Sequence, residues 1–329
     1  MNIQANIKNL KNYKIYLQVQ KATEEFLEKK GYLKIDLPVL SPALIPESYL
    51  EVFETEFKYF NHKEKLYLTP SPELFLKRLL AYGVGDCYYL GKSFRNADPP
   101  STLHSFEFTM LEIYKINVSY LELADEILEM LKYINKSLKS KIKSQKFNLN
   151  KWEKITVAQA FEKYAGIKKE TLFNHQLFLI KAKEKGYQIE NSSYEDVWSQ
   201  IYVQEVEPNL GKNGYPTLIY DYPKEFAALA KLNPDGKTAQ RFEFYINGIE
   251  LGDCYTELTD PKEQEQRFLN EDKQRKKLKK ISHPIDKGFI EALKYGLAPC
   301  SGIAIGFERL AMIFAQVDSI DKLKLINIL

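Results

Sequence analysis

Between Ser93 and Lys115 the chain reads strand, polar loop, strand, and the second strand alternates with period two. Phe106, Phe108, Met110, Glu112 and Tyr114 fall on one face, and Glu107, Thr109, Leu111, Ile113 and Lys115 on the other. The first face sets a carboxylate among aromatic rings, which is costly unless the carboxylate meets a cation. Arg95 closes the first strand, and His104 closes a loop that carries Pro99 and Pro100. An arginine and a histidine converging on a loop suit an anionic, oxygen-rich ligand such as a nucleotide phosphate. The same pattern also suits a plain surface hairpin with one Arg–Glu pair.

The rest of the chain reads as elements of a large core. Tyr13 to Lys30 predicts an amphipathic helix with Ile15, Val19, Ala22 and Phe26 on one stripe and Gly31 at its end. Tyr32 to Pro42 reads as extended. Thr69 to Leu80 reads as a turn and a helix, with Glu73 in the first turn, where a helix dipole favours a carboxylate. Ser119 to Lys141 predicts a helix opened by a Ser119/Glu122 capping box; its lysine-rich tail, 136–146, reads as a solvated linker. Lys151 to Pro208 mixes short helical segments, Val157 to Tyr164 and Tyr194 to Glu205, with loops and shows no chemistry. Asn247-Gly248 marks a type I′ hairpin. That hairpin sets Tyr245 across from Glu250 and puts Glu243 and Glu250 on one face. Two carboxylates there suit either Mg²⁺ or a solvated sheet surface. Arg275 to Lys280 reads as a solvated basic helical face. Gly302 to Leu310 reads as a strand turning into a helix that runs through Phe314, its glycines permitting close approach to a ligand.

A net charge of +3, from 47 basic and 44 acidic residues, does not indicate wholesale nucleic-acid binding. Three widely spaced cysteines, Cys87, Cys254 and Cys300, suggest a reducing compartment with no disulfide framework. No run is apolar enough to span a membrane, and the first residues lack a signal-peptide core. A cytoplasmic protein is expected.

Phe94-Arg95-Asn96, then His104 through Glu112, resembles the second signature motif of class II aminoacyl-tRNA synthetases, in its lysine branch. Gly31 to Pro38 resembles the first motif, and Gly302, Ala304, Gly306, Glu308 and Arg309 the third. Within that class the chain is similar to the elongation factor P–(R)-β-lysine ligase family, through Ser71, Glu207 to Lys212, His283 to Asp286 and Cys300 to Ala304. The resemblance implies an α+β fold, an antiparallel sheet flanked by helices. It implies one catalytic domain over 1–329 with a mixed insertion around 140–208, no anticodon-binding domain, and a homodimer built through the first motif. It implies Arg95 and Arg309 as catalytic phosphate ligands, with His104 near the γ-phosphate and Phe108 and Arg309 on either side of the adenine. Glu243 and Glu250 would hold Mg²⁺ beside ATP. Glu73 would take the α-amine; Glu112, Tyr114 and Glu257 the side-chain amine; and Ser71, Asp253, Tyr255 and Ala304 would complete the substrate pocket.

The implied reaction activates lysine or (R)-β-lysine as an adenylate and transfers it to a lysine of elongation factor P. Alternatives are a truncated lysyl-tRNA synthetase-like enzyme acting on tRNA and a non-catalytic nucleotide-binding paralogue. Ala304 replaces a glycine of the lysyl-tRNA synthetase pattern, and its methyl makes the pocket floor shallower, which fits an amine moved by one carbon. Ala97 replaces the glutamate that follows Arg95-Asn96, with Asp98 as the expected substitute. The basic residue before His104 is missing. Asp253 stands where the pattern has asparagine.

Overall fold

The computed structural model describes residues 2–97, 101–138 and 147–328. Helix α1 (Leu10–Lys29) buries Ile15, Val19, Ala22 and Phe26, the expected stripe, and begins three residues earlier than periodicity predicts. Each large apolar side chain so buried contributes roughly 1.5–3 kcal/mol. After it come strand β1 (Leu33–Lys34), helix α2 (Glu73–Ala81), strand β2 (Cys87–Phe94), strand β3 (Glu107–Ile116) and helix α3 (Tyr120–Leu138). Ser119 Oγ and backbone N–H both donate to the Glu122 carboxylate, so α3 opens on the capping box read from sequence. Most of the lysine-rich tail lies outside the described residues.

Strand β4 (Glu153–Thr156) precedes short helical turns, including helix α4 (Tyr194–Ile201). Strands β5 (Thr217–Pro223), β6 (Thr238–Ile246) and β7 (Ile249–Thr256) follow. Helices α5 (Pro261–Lys277) and α6 (Lys287–Gly296) lead to strand β8 (Cys300–Gly306) and helix α7 (Phe307–Ala315).

The chain divides into two compact units. One comprises Met1–Val118, Tyr133–Ile142 and Leu258–Leu329, and the other Ser119–Lys132 and Lys143–Glu257. In the first, β2 pairs antiparallel with β3 and β3 antiparallel with β8, while β1 joins β2 in parallel. In the second, β5, β6 and β7 are successively antiparallel and β4 joins β5 in parallel. The α+β expectation is met, with one parallel pair in each unit. The second unit has its own apolar cluster, in which Phe161, Phe178, Trp198 and Tyr202 pack together.

Asn247 and Gly248 have φ of 55° and 78°, the left-handed pair that a type I′ turn demands. The β6–β7 register shifts between Phe244 and Tyr245, so Leu251 is an extra residue. Tyr245 lies across from Glu250 as expected, but Glu243 lies across from Asp253. This bulge beside Gly252 carries the alternation past the turn, so Glu250, Asp253 and Tyr255 share the face of Arg241, Glu243 and Tyr245.

One expectation fails here. Arg275 was read as part of a solvated basic face, yet it is 2% exposed. Its guanidinium donates to the carbonyls of Glu47, Leu50 and Ile281 and to the Glu51 carboxylate. A loop packed on α5 turns one position of a charged helix into a buried strut, which helical periodicity alone does not reveal.

Candidate active site

In the first unit, cross-strand register places Tyr89, Glu112 and Ala304 in one row. The rows beside it hold Cys87, Tyr114 and Gly302 on one side and Gly91, Met110 and Gly306 on the other. From Gly302 to Gly306 this face of β8 carries no side chain larger than a methyl. The third-motif glycines therefore leave open the surface beside Glu112.

Glu112 is 2% exposed and is held at both oxygens: Ser71 Oγ donates to Oε2 at 2.8 Å and Tyr114 OH to Oε1 at 2.8 Å. Ser71 Oγ in turn accepts the Glu73 backbone N–H at 3.1 Å, linking the start of α2 to the same carboxylate. Glu73 forms an ion pair with Lys77 one turn on, and Lys77 is 1% exposed. Burial first, then the negative charge of Glu73, holds the Glu112 carboxyl well above the usual carboxylate range. The Ser71 and Tyr114 hydrogen bonds and the Lys77 charge pull the other way. Two carboxylates sharing one buried lysine leave the pocket short of positive charge, so it suits an amine.

At the other end of β3, the Arg95 guanidinium lies 5.3 Å from the Phe108 ring centre, within cation–π range. Its Nε has no hydrogen-bond partner among the described residues. Arg309, in the first turn of α7, meets His104: a terminal guanidinium nitrogen is 2.8 Å from Nε2. A guanidinium only donates, so Nε2 accepts and the imidazole proton sits on Nδ1, directed at Ser101 Oγ 2.9 Å away. The structure thus pairs Arg95 with Phe108 and Arg309 with His104.

Glu308 belongs to the stretch that resembles the third motif, and the sequence assigns it no role. Both its carboxylate oxygens accept the Thr109 backbone N–H, at 2.9 and 2.8 Å, which fixes the first turn of α7 against β3. Tyr16 of α1 donates to Thr109 Oγ1 at 3.3 Å. Burial and the nearby Glu308 push its phenol up to about 12. Ala97, in place of the glutamate, takes a left-handed φ of 64°. Asp98, its expected substitute, lies outside the described residues.

In the second unit, Arg241 is the hub. Nε donates to Asp253 Oδ1 at 2.8 Å, and one terminal nitrogen reaches Asp253 Oδ2 and Glu243 Oε1, each at 2.9 Å. The other donates to the Phe226 carbonyl at 2.7 Å. Glu243 Oε2 accepts from Tyr245 OH at 2.7 Å and Tyr202 OH at 3.3 Å. Burial raises the Glu243 carboxyl, Arg241 lowers it, and Glu250 raises it again, so the two carboxylates feel each other. Tyr202 lies in the stretch read as free of chemistry. Its hydroxyl also meets those of Tyr222 and Tyr245, at 2.8 and 3.1 Å. Its helical spacing signals core alone, and only packing reveals the hydroxyl ring behind Glu243.

Among the described residues, no group of three or more His, Cys, Asp or Glu side chains could hold a metal. Glu243 and Glu250 are hard oxygen donors, and two of them fit an ion that takes its remaining ligands from water and phosphate. The residues present therefore fit Mg²⁺, not a metal enclosed by protein.

A family model described as tRNA synthetases class II (D, K and N) matches residues 2–326. The chain is 37% identical over 304 residues to the elongation factor P–(R)-β-lysine ligase of Avibacterium paragallinarum, covering 91% of this chain and 89% of that one. It is 34% identical over 307 residues to the enzyme of the same name from Hamiltonella defensa, covering 92% and 90%. It is also 33% identical over 312 residues to the lysine–tRNA ligase of Carboxydothermus hydrogenoformans, covering 92% of this chain and 62% of that one.

Proposed function

The chain belongs to the elongation factor P–(R)-β-lysine ligase family of class II tRNA synthetase-like proteins, and we propose that it activates (R)-β-lysine with ATP and transfers it to a lysine side chain of elongation factor P. The observation that carries the amino-acid reading is the Glu112 row. A buried carboxylate is held ready by Ser71 and Tyr114, with the Ala304 methyl directly across the ladder. An ammonium group supplies the charge that this carboxylate lacks.

In the first step the substrate carboxylate attacks the α-phosphorus of ATP, giving an aminoacyl-adenylate and pyrophosphate. Arg95 and Arg309 stabilise the negative charge that builds on the phosphate oxygens, and Phe108 offers its ring to the adenine. His104, by accepting from Arg309, fixes the guanidinium's direction before the nucleotide arrives. Glu112 orients the substrate's side-chain amine, aided by Tyr114 and Ser71, and Glu73 takes the backbone amine. Glu243 and Glu250 would hold Mg²⁺, which supplies Lewis-acid neutralisation of the phosphates when bound. Asp253 and Tyr255 on β7, and Glu257 just after it, are the further substrate contacts.

In the second step the acceptor lysine ε-amine attacks the adenylate carbonyl. An amide C–N bond forms, the bond from the acyl carbon to the adenylate oxygen breaks, AMP leaves with that oxygen and the electron pair, and the amine gives up a proton. No nucleophile of the chain is consumed, so positioning and electrostatics carry the catalysis.

We place the partner contact of a homodimer on the 31–42 segment, where Leu33 and Leu40 are exposed. A cytoplasmic location fits three buried cysteines that form no disulfide among the described residues. No helix among the described residues is long and apolar enough to cross a membrane.

The test is incubation of the chain with ATP, Mg²⁺ and radiolabelled (R)-β-lysine in the presence of elongation factor P or of tRNA. Label on an elongation factor P lysine is expected. Label on tRNA alone would establish the lysine–tRNA ligase reading instead.

A further inference from the structure

Glu47 was not singled out by any motif. It lines the same small cleft as Ser71 and Glu73, together with Leu44, Ile45 and Leu74. The segment that carries it is pinned through its backbone from several directions. Arg275 donates to the Glu47 carbonyl at 2.7 Å and to that of Leu50 at 2.6 Å. The Ser48 N–H donates to the Glu271 carboxylate at 2.7 Å, and Lys280 Nζ reaches the Tyr49 carbonyl at 2.7 Å. Glu51, four residues on, spends its carboxylate on this scaffold, accepting from Arg275, from its neighbour Val52 N–H and from Ile281 N–H. Glu47 is exposed, and its carboxylate makes no hydrogen bond or ion pair with any of the described residues. A rigid segment that presents one uncommitted charged group into a cleft is how a recognition group is mounted.

The charges acting on that carboxylate are, largest first, Arg95, which favours its ionised form, then Glu73, Glu271 and Arg275. Glu271 and Arg275 are engaged with the segment's backbone. Glu73 is a like charge in the same cleft, and two carboxylates that share a site repel unless a cation lies between them. Lys77 is paired to Glu73, and its side chain is 1% exposed. An ammonium has three donors and is best met by acceptors on different segments. Glu73 on α2 and Glu47 on the pinned segment are two such acceptors.

We propose that Glu47 is a second amine-recognising carboxylate of the amino-acid pocket, acting with Glu73, and that it selects the position of the backbone amine along the substrate chain. The inference rests on the reading of this pocket as an amino-acid-activating site. The substrate class is a diamino monocarboxylic acid. Whether its backbone amine reaches both carboxylates depends on which carbon bears it, so the pair discriminates an amine on the α-carbon from one moved a carbon further.

The experiment is ATP–pyrophosphate exchange by the full chain with α-lysine and with (R)-β-lysine, comparing wild type with Glu47→Gln and Glu47→Ala. Thermal melting and the KM for ATP serve as controls. Glu47→Gln keeps the size of the side chain and removes its charge. It should raise the KM for (R)-β-lysine roughly tenfold, the scale of one charge-assisted hydrogen bond, and move that for α-lysine less than threefold. Melting temperature and the KM for ATP should stay at wild-type values. An unchanged ratio of the two KM values, or an equal rise in both, overturns the proposal. So does a change that appears only alongside lower melting temperature and weaker ATP binding. If wild type activates (R)-β-lysine and Glu47→Gln is indifferent, only the role of Glu47 falls; if wild type activates neither amino acid, the amino-acid reading falls and the proposal with it.

Discussion

Arg241 grips Asp253 through two hydrogen bonds, Nε to Oδ1 at 2.8 Å and a terminal nitrogen to Oδ2 at 2.9 Å. The second nitrogen also donates to Glu243, so one guanidinium joins two carboxylates across the β6–β7 ladder. An asparagine at 253 has one acceptor oxygen and no charge, and cannot match the fork. The aspartate that departs from the lysine-branch pattern is thus neutralised by a partner in its own sheet.

Asp253→Asn should free part of the Arg241 fork and remove a negative charge from the pocket face. The Arg241 guanidinium so released can meet the carboxylate of a lysine-type substrate, and the KM for that substrate should fall several-fold. Pyrophosphate exchange with α-lysine and β-lysine checks this. Identical constants for both would make the Arg241–Asp253 pair a strut of the hairpin and take Asp253 out of the pocket.

Arg309→Ala should abolish adenylate formation while leaving the fold intact, because Glu308, not Arg309, ties α7 to β3. Loss of one transition-state charge contact costs roughly 10²-fold or more. Exchange within a few-fold of wild type would remove Arg309 from the mechanism.

Glu243→Gln combined with Glu250→Gln should raise the magnesium concentration needed for half-maximal exchange, since each removes a hard charged donor. Tyr245→Phe leaves Tyr202 as donor to the same Glu243 oxygen and keeps both carboxylates, so it should change that concentration less than the double substitution does. Direct Mn²⁺ binding followed by electron paramagnetic resonance gives a second readout. A half-saturation point indifferent to the double change would make these carboxylates plain sheet residues.

Binding of an amine to Glu112 should release a proton. Burial and Glu73 raise the Glu112 carboxyl, so the free protein holds it protonated to a higher pH than an ordinary glutamate. An ammonium favours the ionised form, so affinity should rise with pH until Glu112 is ionised without ligand, and then level off. Titration calorimetry in buffers of different ionisation enthalpy measures the proton count. Uptake in place of release would refute the assignment.

Arg275→Ala should destabilise the first unit by about 3 kcal/mol, because three backbone carbonyls and Glu51 lose a buried donor. Lys276→Ala, one residue on, removes only an exposed pair with Asp272 and should change stability by about 0.5 kcal/mol or less. Denaturant unfolding of the two variants provides the comparison.

Much of the local structure is legible in the chain itself. The period-two run around Glu112, the Asn247-Gly248 turn, the Ser119/Glu122 box and the α1 stripe each depend on neighbours a few residues away. Backbone sterics and side-chain direction decide such features wherever they occur. The residues that resemble class II motifs were identifiable for the same reason, since they lie within continuous stretches.

What the sequence could not convey is which groups stand behind those residues. Thr109 and Glu308 are 199 positions apart, Arg275 and Glu47 are 228 apart, and Tyr202 reaches Glu243 from 41 residues away. Periodicity says that a side chain faces inward but not what it meets there. That depends on register, on a bulge that adds one residue at Leu251, and on a loop that happens to cross α5. The charge state of Glu112 and the neutralisation of Asp253 follow from those contacts. They were settled only when burial removed water and left each ionised group to find a partner inside the protein or to do without one.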